Sequence, residues 1–211
     1  ETGVANAANS TLGNRINQPV SAIKLSALTR HVGGSLKFPT GCDESDLAIK
    51  EVSHNSRNVP VGGLFAAITG KVNDGHDFAA EAVENGAAAL LVERSLDVRV
   101  PQIIVEDVAS ALGVAASKIF GDPSQKIKII GVTGTSGKTT VVQYLKQMLD
   151  YFGFKSVALG TLEGTRTTPE APDLQRWLAR QVEGAIDFVC MEVSSHGLQL
   201  GRVNGVTFSL G

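Results

Sequence analysis

The sequence predicts an α/β protein: an N-terminal α/β unit followed by a second, incomplete α/β unit with a mainly parallel sheet. Three observations carry that prediction. Short apolar runs bounded by Gly, Pro and polar clusters alternate with segments of helical period along the chain. From Lys126 the order is strand, helix, strand, helix, strand, as in parallel strands joined by right-handed crossovers. Between the first of those strands and the first helix lies "GVTGTSGKTT", residues 131–140, a glycine bend with a lysine where the helix begins.

Taken in order, residues 22–34 carry Ile23, Ala27, Leu28 and Val32 ahead of Gly33-Gly34 and read as a short helix. Residues 46–59 read as a strand and a polar bend, and residues 62–69 as a strand leading into the loop 70–78. Residues 78–86 read as a helix closed by Gly86, and 87–94 and 101–107 as buried strands. Asp107 N-caps a helix with Val108, Leu112 and Ile119 on one side, ended by Gly121-Asp122-Pro123. The polar link after it divides the chain into residues 1–125 and 126–211. Residues 126–133 have almost no polar interruption, as expected of a strand buried on both faces. The helix after the bend carries Val141, Leu145, Met148 and Phe152 on one stripe and stops at Gly153. Residues 155–161 and 186–193 read as further strands around a helix at 173–184, and residues 206–210 as a strand cut short.

The 211 residues are 43% apolar and 19% charged, a globular composition, with a net charge of −2. Lys and Arg are spread out, so no basic stripe offers a footprint for nucleic acid. No apolar run reaches the roughly 20 residues that span a bilayer. The start has neither the basic nor the apolar region of a signal peptide, and it lacks an initiator Met. Cys42 and Cys190 show no C-x-x-C spacing and no His at metal spacing, so a reducing, cytoplasmic setting is expected, with Cys190 a small core residue.

Gly134-Thr135-Ser136-Gly137-Lys138-Thr139, followed by Thr140, stands in the strand–bend–helix context of a phosphate-binding P-loop. Glycines let backbone N–H groups turn toward an anion, and the helix N-terminus adds partial positive charge. Lys138 is expected to reach the outer phosphates, and the Thr139 hydroxyl to take a place on Mg²⁺. Val132 stands where the general pattern has Gly. The competing account is a plain strand-to-helix turn; against it, a lysine in the first helical turn is electrostatically poor without an anion to meet. Glu192 ends an apolar strand at the carboxyl edge that carries this loop, where a carboxylate can hold a phosphate-bridging Mg²⁺. His196 reads as a ligand, a general base or a structural side chain, the last being the usual case. Arg166, Thr167 and Thr168 precede a helix that follows two prolines. Thr168 or Asp173 as an N-cap and a second binding loop are equally good accounts. In the first unit the loops 54–58 and 70–77 flank one strand, and Ser56, Arg57 and Lys71 there can receive an anionic ligand.

Together, "NSRNVPVGGLFAAITGKVNDGHDF", "GVTGTSGKTT", "TTPEAPDLQ" and "MEVSSHGLQLGRV", which cover most of residues 50–210, resemble Mur ligases of the MurE type. The T-G-T-x-G-K-T form of the loop, shared by that family, accounts for Val132. The resemblance implies ATP on Gly134 through Thr140, with Lys138 and Glu192 as catalytic residues and Mg²⁺ on Thr139 and Glu192. It implies that Ser56, Lys71 and Asn73 lie against a UDP moiety, and that Thr167, Thr168, Ser194 and Arg202 contact a muramoyl-dipeptide. The implied reaction adds a diamino acid, meso-diaminopimelate or L-lysine, to UDP-N-acetylmuramoyl-L-Ala-D-Glu through an acyl phosphate, in a monomeric enzyme. The family pattern continues past these residues with a carbamylated lysine and a C-terminal domain, so residues 1–211 are expected to bind ligands without ligating them. The segment from Gly160 to Thr167 is shorter than the family's usual hairpin. A non-catalytic nucleotide-binding module is the alternative; a GTPase is disfavoured by the missing D-x-x-G and N-K-x-D signatures, and a small kinase by the long N-terminal unit.

Overall fold

The computed structural model describes residues 22–40, 46–70, 72–162 and 167–211. Strands β1 (Ile23–Lys24), β2 (Ser35–Lys37), β3 (Ala48–Ile49), β4 (Val52–Ser53), β5 (Leu64–Ala66), β6 (Ala89–Val92) and β7 (Gln102–Ile104) belong to the first half. So do helices α1 (Leu25–His31), α2 (Ala79–Glu84) and α3 (Val108–Ile119). Five strands form one sheet in the order β2-β7-β6-β5-β4, parallel except that β2 runs against β7. Alternate residues of β6 feed two cores: Ala89 and Leu91 pack with Leu25, Leu28 and Leu112 under α1 and α3, while Leu90 and Val92 pack with Phe65 and Ala82 under α2. A central strand covered on both faces has to be apolar throughout.

The Asp107 cap forms as expected: its carboxylate accepts from the N–H groups of Ala109 at 2.9 Å and Ser110 at 3.3 Å. Gly121 and Asp122, in left-handed backbone, end the helix. One expectation fails at the start. Ile23 does not belong to a helical stripe; it lies on β1 and pairs with Ile49, and the helix begins only at Leu25. A β-branched residue suits that extended pairing.

The second half comprises β8 (Lys128–Val132), α4 (Lys138–Tyr151), β9 (Ser156–Leu159), α5 (Ala171–Glu183), β10 (Phe188–Glu192) and α6 (Ser195–Gln199). Its sheet runs β8-β10-β9, all parallel, so the last strand in sequence sits in the middle. α4 covers one face through Val142 and Leu149 against Ala158 and Cys190. α5 covers the other through Leu174 and Leu178 against Ile129, Val189 and Met191.

Three expectations are corrected here. β8 is not buried on both faces: Ile129 is, but Lys128 is exposed and residues 130–132 are half-buried, because β8 borders the sheet among the described residues. Residues 206–210 form no strand; a single bridge joins Leu210 to Ile130, with the Phe208 ring against Gly131. On α4, Val141, Met148 and Phe152 are 45%, 50% and 67% exposed, and the buried stripe is Val142, Leu145 and Leu149. The helix carries apolar residues on two overlapping stripes of equal period, and docking against β9 and β10 selects the one not expected above.

α5 also closes the space between the two halves. Ala171 and Ala179 join the core that contains α3, one turn on either side of the buried Gln175. Arg176 donates to Glu51 at 2.9 Å and lies over the Phe120 ring at 5.2 Å.

Candidate nucleotide and substrate site

β8 ends at Val132, and the loop that follows turns through Gly134 and Gly137 at φ 143° and 81°. Only glycine adopts the first of these readily. Val132 is paired strand residue and needs no glycine freedom, which explains the departure from the general pattern. Gly137 caps α4, so Lys138 and Thr139 open the helix and Thr140 follows on its exposed side. Thr135 and Ser136 are exposed between the glycines. The Lys138 ammonium donates to the Gly134 carbonyl at 2.7 Å and so lies folded over the loop. A loop with two positive-φ glycines, a helix N-terminus and a lysine meet here, which is chemistry suited to a polyphosphate.

The register β10–β8 sets Glu192 opposite Val132, which brings its side chain to the same edge. Glu192 is 2% exposed. Its Oε1 accepts from the Thr139 hydroxyl at 2.9 Å and from the Thr161 N–H at 3.1 Å. Among the described residues no group of three or more His, Cys, Asp or Glu side chains could hold a metal. One hydroxyl and one carboxylate oxygen fit Mg²⁺, which takes few protein ligands and completes its shell with phosphate oxygens and water.

The second loop stands beside this edge. The Thr167 hydroxyl lies 3.0 Å from that of Thr161. Thr168 does not cap α5; the capping position is Glu170, whose side chain makes no bond to the first-turn N–H groups, and Asp173 lies inside the helix. Instead Thr168, 1% exposed, donates to the Glu192 carbonyl at 3.2 Å and accepts from the Ser194 N–H at 3.0 Å. Ser194 caps α6 by accepting from Gly197 N–H at 3.0 Å. Arg202 donates to the Thr168 carbonyl at 3.1 Å and pairs with Glu170 at 2.6 Å. His196 is exposed on α6 and is not a core histidine. Cys190 is buried on β10, where burial first and the Asp150 charge second push its thiol up to about 11.

In the first half, Ser56 and Asn73 line one cleft of about 320 Å³ with His54, Phe78 and Glu170. Ser56 donates to Glu81 at 2.5 Å, and Asn73 receives the Gly70 N–H on its carbonyl at 3.0 Å. The loop 70–77 is braced by Asp74, which accepts from the His76 N–H and from Arg94, while His76 accepts from Glu93 N–H. The His76 amide, then Arg94 and the His76 ring, hold the Asp74 carboxyl well below the usual range. His54 and Glu170 also line a larger cleft of about 850 Å³ between the halves, with Asp173, Trp177 and Arg180. Lys71, Arg166 and Cys42 lie outside the described residues.

The phosphate loop, Glu192, Thr167, Thr168, Ser194 and Arg202 are therefore brought together, and Ser56 and Asn73 share a separate cleft that Glu170 joins to that group. Sequence reasoning missed Thr161, Glu170 and Glu81. Thr161 follows a strand at the carboxyl edge of the sheet, where open α/β sheets bind their ligands, a signal that could have found it; Glu81, on a different element from Ser56, had no such signal.

Residues 48–120 match a family model described as Mur ligase family, catalytic domain, and residues 132–211 one described as Mur ligase middle domain. The chain is 36% identical to the UDP-N-acetylmuramoyl-L-alanyl-D-glutamate–2,6-diaminopimelate ligase of Bacillus licheniformis, over 82% of this chain and 37% of that protein. It is 39% identical to the ligase of the same name from Geobacillus kaustophilus, over 89% and 40%. A solved structure with that enzyme name superposes with a TM-score of 0.70 at 26% identity, over 87% and 38%. The MurF of Acinetobacter baumannii shares the fold, with a TM-score of 0.60 at 24% identity over 82% and 36%. The chain thus spans about two fifths of the curated relatives it matches.

Proposed function

The chain belongs to the Mur ligase family, and we propose that it is the nucleotide- and nucleotide-sugar-binding part of an ATP-dependent ligase of peptidoglycan precursor synthesis. The protein that carries it joins a diamino acid to UDP-N-acetylmuramoyl-L-Ala-D-Glu, in the cytoplasm and as a monomer. Residues 1–125 bind the UDP-substrate, and residues 126–211 bind ATP. The relatives' enzyme names support the reaction class. Among the described residues no helix is long and apolar enough to cross a membrane.

The single observation that carries the nucleotide reading is the 2.9 Å bond between Thr139, at the mouth of the phosphate loop, and Glu192 on the neighbouring strand. The pair supports this reading because a hydroxyl and a carboxylate side by side are groups that Mg²⁺ accepts beside phosphate oxygens. Mg²⁺, when bound, neutralises phosphate charge and polarises the transferring group. Lys138 and the loop N–H groups stabilise charge on the phosphoryl group as it passes to the substrate's terminal carboxylate. ADP leaves as the acyl phosphate forms, and the diamino acid's amine then attacks its carbonyl carbon and displaces inorganic phosphate. Ser56, Lys71 and Asn73 hold the uridine diphosphate end, and Thr167, Ser194 and Arg202 orient the muramoyl-peptide end, with Thr168 shaping the loop from beneath.

Calorimetric titration tests this. Lys138→Ala removes charge-assisted contacts worth about 1.5–3 kcal/mol each and should weaken Mg-ATP binding at least tenfold. Equal affinity in parent and variant refutes the phosphate-loop reading. For the nucleotide-sugar, an NMR titration should shift resonances of the 54–58 and 70–77 loops and leave α3 unmoved; shifts confined elsewhere refute it.

A further inference from the structure

Glu192 is held from a side that the phosphate-loop motif does not describe. Thr161, two residues past the end of β9, gives Oε1 its second hydrogen bond through its N–H at 3.1 Å. The Thr161 hydroxyl makes a longer contact to Oε2 at 3.4 Å and reaches the Thr167 hydroxyl at 3.0 Å. Gly160 lies flat against the same carboxylate. A Cβ built there would overlap Oε1, and the three nearest atoms all belong to the Glu192 side chain. Its backbone is outside the left-handed region, so space and not conformation calls for glycine.

The result is an asymmetric carboxylate. Oε1 takes both strong bonds, from Thr139 and from the Thr161 amide, while Oε2 keeps one long contact among the described residues. Hydrogen bonds of this kind orient a ligating carboxylate and tune it. The same residue faces both halves of the reaction. Its carboxylate meets the phosphate loop, its carbonyl accepts from Thr168, and Thr161 links it to Thr167.

We propose that Gly160 and Thr161 are positioning residues. They lock Glu192 with Oε2 available to the cation that accompanies the nucleotide, and the Thr161 hydroxyl ties that carboxylate to the substrate loop at Thr167. The proposal rests on the nucleotide-binding reading above and extends it to residues that make no contact with nucleotide themselves. A consequence is that occupancy of the substrate loop strengthens metal-dependent ATP binding, because both act on the same short chain of hydrogen bonds.

The test is titration of ATP into the full 211-residue chain, once with Mg²⁺ and once with EDTA, for the parent, Gly160→Ala, Thr161→Val and Thr161→Ser. The three atoms nearest the added Cβ of Gly160→Ala all belong to the Glu192 side chain, so that side chain is the first to be displaced, and the Thr161 variants test the same role without the added bulk. Affinity in EDTA should be alike in all four. The gain on adding Mg²⁺ should drop about tenfold or more in Gly160→Ala. It should drop about two- to tenfold in Thr161→Val and recover in Thr161→Ser, which restores the hydroxyl. UDP-N-acetylmuramoyl-L-Ala-D-Glu should raise Mg-ATP affinity in the parent and not in Thr161→Val. If the parent shows a Mg²⁺ gain that both Gly160→Ala and Thr161→Val keep, the positioning role is wrong while nucleotide binding stands. Equal losses in Mg²⁺ and EDTA would reveal a general distortion of the loop and overturn it too. A parent with no Mg²⁺ gain overturns the proposal together with the reading beneath it.

Discussion

Thr168→Val separates two roles for one buried residue. Valine matches threonine in shape and replaces only the hydroxyl. In the folded chain that hydroxyl donates to the Glu192 carbonyl at 3.2 Å, accepts from the Ser194 N–H at 3.0 Å and lies 3.3 Å from the Ser194 hydroxyl. The side chain is 1% exposed, so water cannot take over these bonds. The variant therefore strands a buried carbonyl and a half-buried N–H. At about 1–3 kcal/mol for each stranded group, and less for the half-buried one, the loss is about 2–4 kcal/mol. For a chain of this size each kcal/mol moves the melting temperature by about 2–4 °C, so calorimetric unfolding should begin roughly 5–15 °C lower. Thr168→Ser keeps the oxygen and loses only the methyl group, which would stand 3.0 Å from a Cβ at Gly197. That change should cost about 1 kcal/mol. A Val variant within about 0.5 kcal/mol of the parent, with the Ser variant the more damaged, would show that methyl packing and not the hydroxyl holds the end of β10, and the reasoning fails.

Asp74 carries a depressed carboxyl, so its stabilising effect is present above the unfolded value of about 3.9 and is lost as pH falls toward the folded one. The stability gap between the parent and Asp74→Asn should accordingly begin to close only below about pH 4; a gap that is constant down to pH 2 removes the linkage. The Cys190 thiol, raised to about 11 and buried, should resist iodoacetamide at pH 8 in the folded chain and react quickly in denaturant, as read by mass spectrometry of its peptide. Labelling at the denatured rate without denaturant would contradict its burial. Gly113→Ala should destabilise by about 1–3 kcal/mol in denaturant unfolding, since its Cβ would strike the backbone of Asn204, whose carbonyl carbon would be 2.8 Å away. A neutral effect would mean that α3 and the 201–205 turn are free to move apart.

The sequence alone determined what neighbouring residues decide among themselves. Two glycines, a preceding apolar run and a lysine in the first helical turn suffice for the strand–bend–helix form of residues 131–140, because strand end, left-handed turn and helix start lie within a dozen residues. Asp107 is legible as a cap for the same reason: donor and acceptor are two and three residues apart. The alternation of elements likewise predicts a parallel sheet, and hence that Glu192 shares an edge with the loop.

Tertiary structure decided the rest. α4 offers two apolar stripes of similar quality, and only its docking on β9 and β10 selects Val142, Leu145 and Leu149. Thr168 has the chemistry of an N-cap, yet it turns inward to the Glu192 carbonyl at the end of β10 and the Ser194 N–H at the start of α6. Ser56 meets Glu81 on another element, and α5 carries one face for each core, which no local pattern distinguishes from an ordinary amphipathic helix. Gly160 reads as a strand-end glycine until the Glu192 carboxylate is seen to fill the space its Cβ would need. Local geometry is set by dihedral preferences and hydrogen bonds that close over a few residues; which faces meet, and which polar atoms are left needing partners, depends on the packing of elements far apart in the chain.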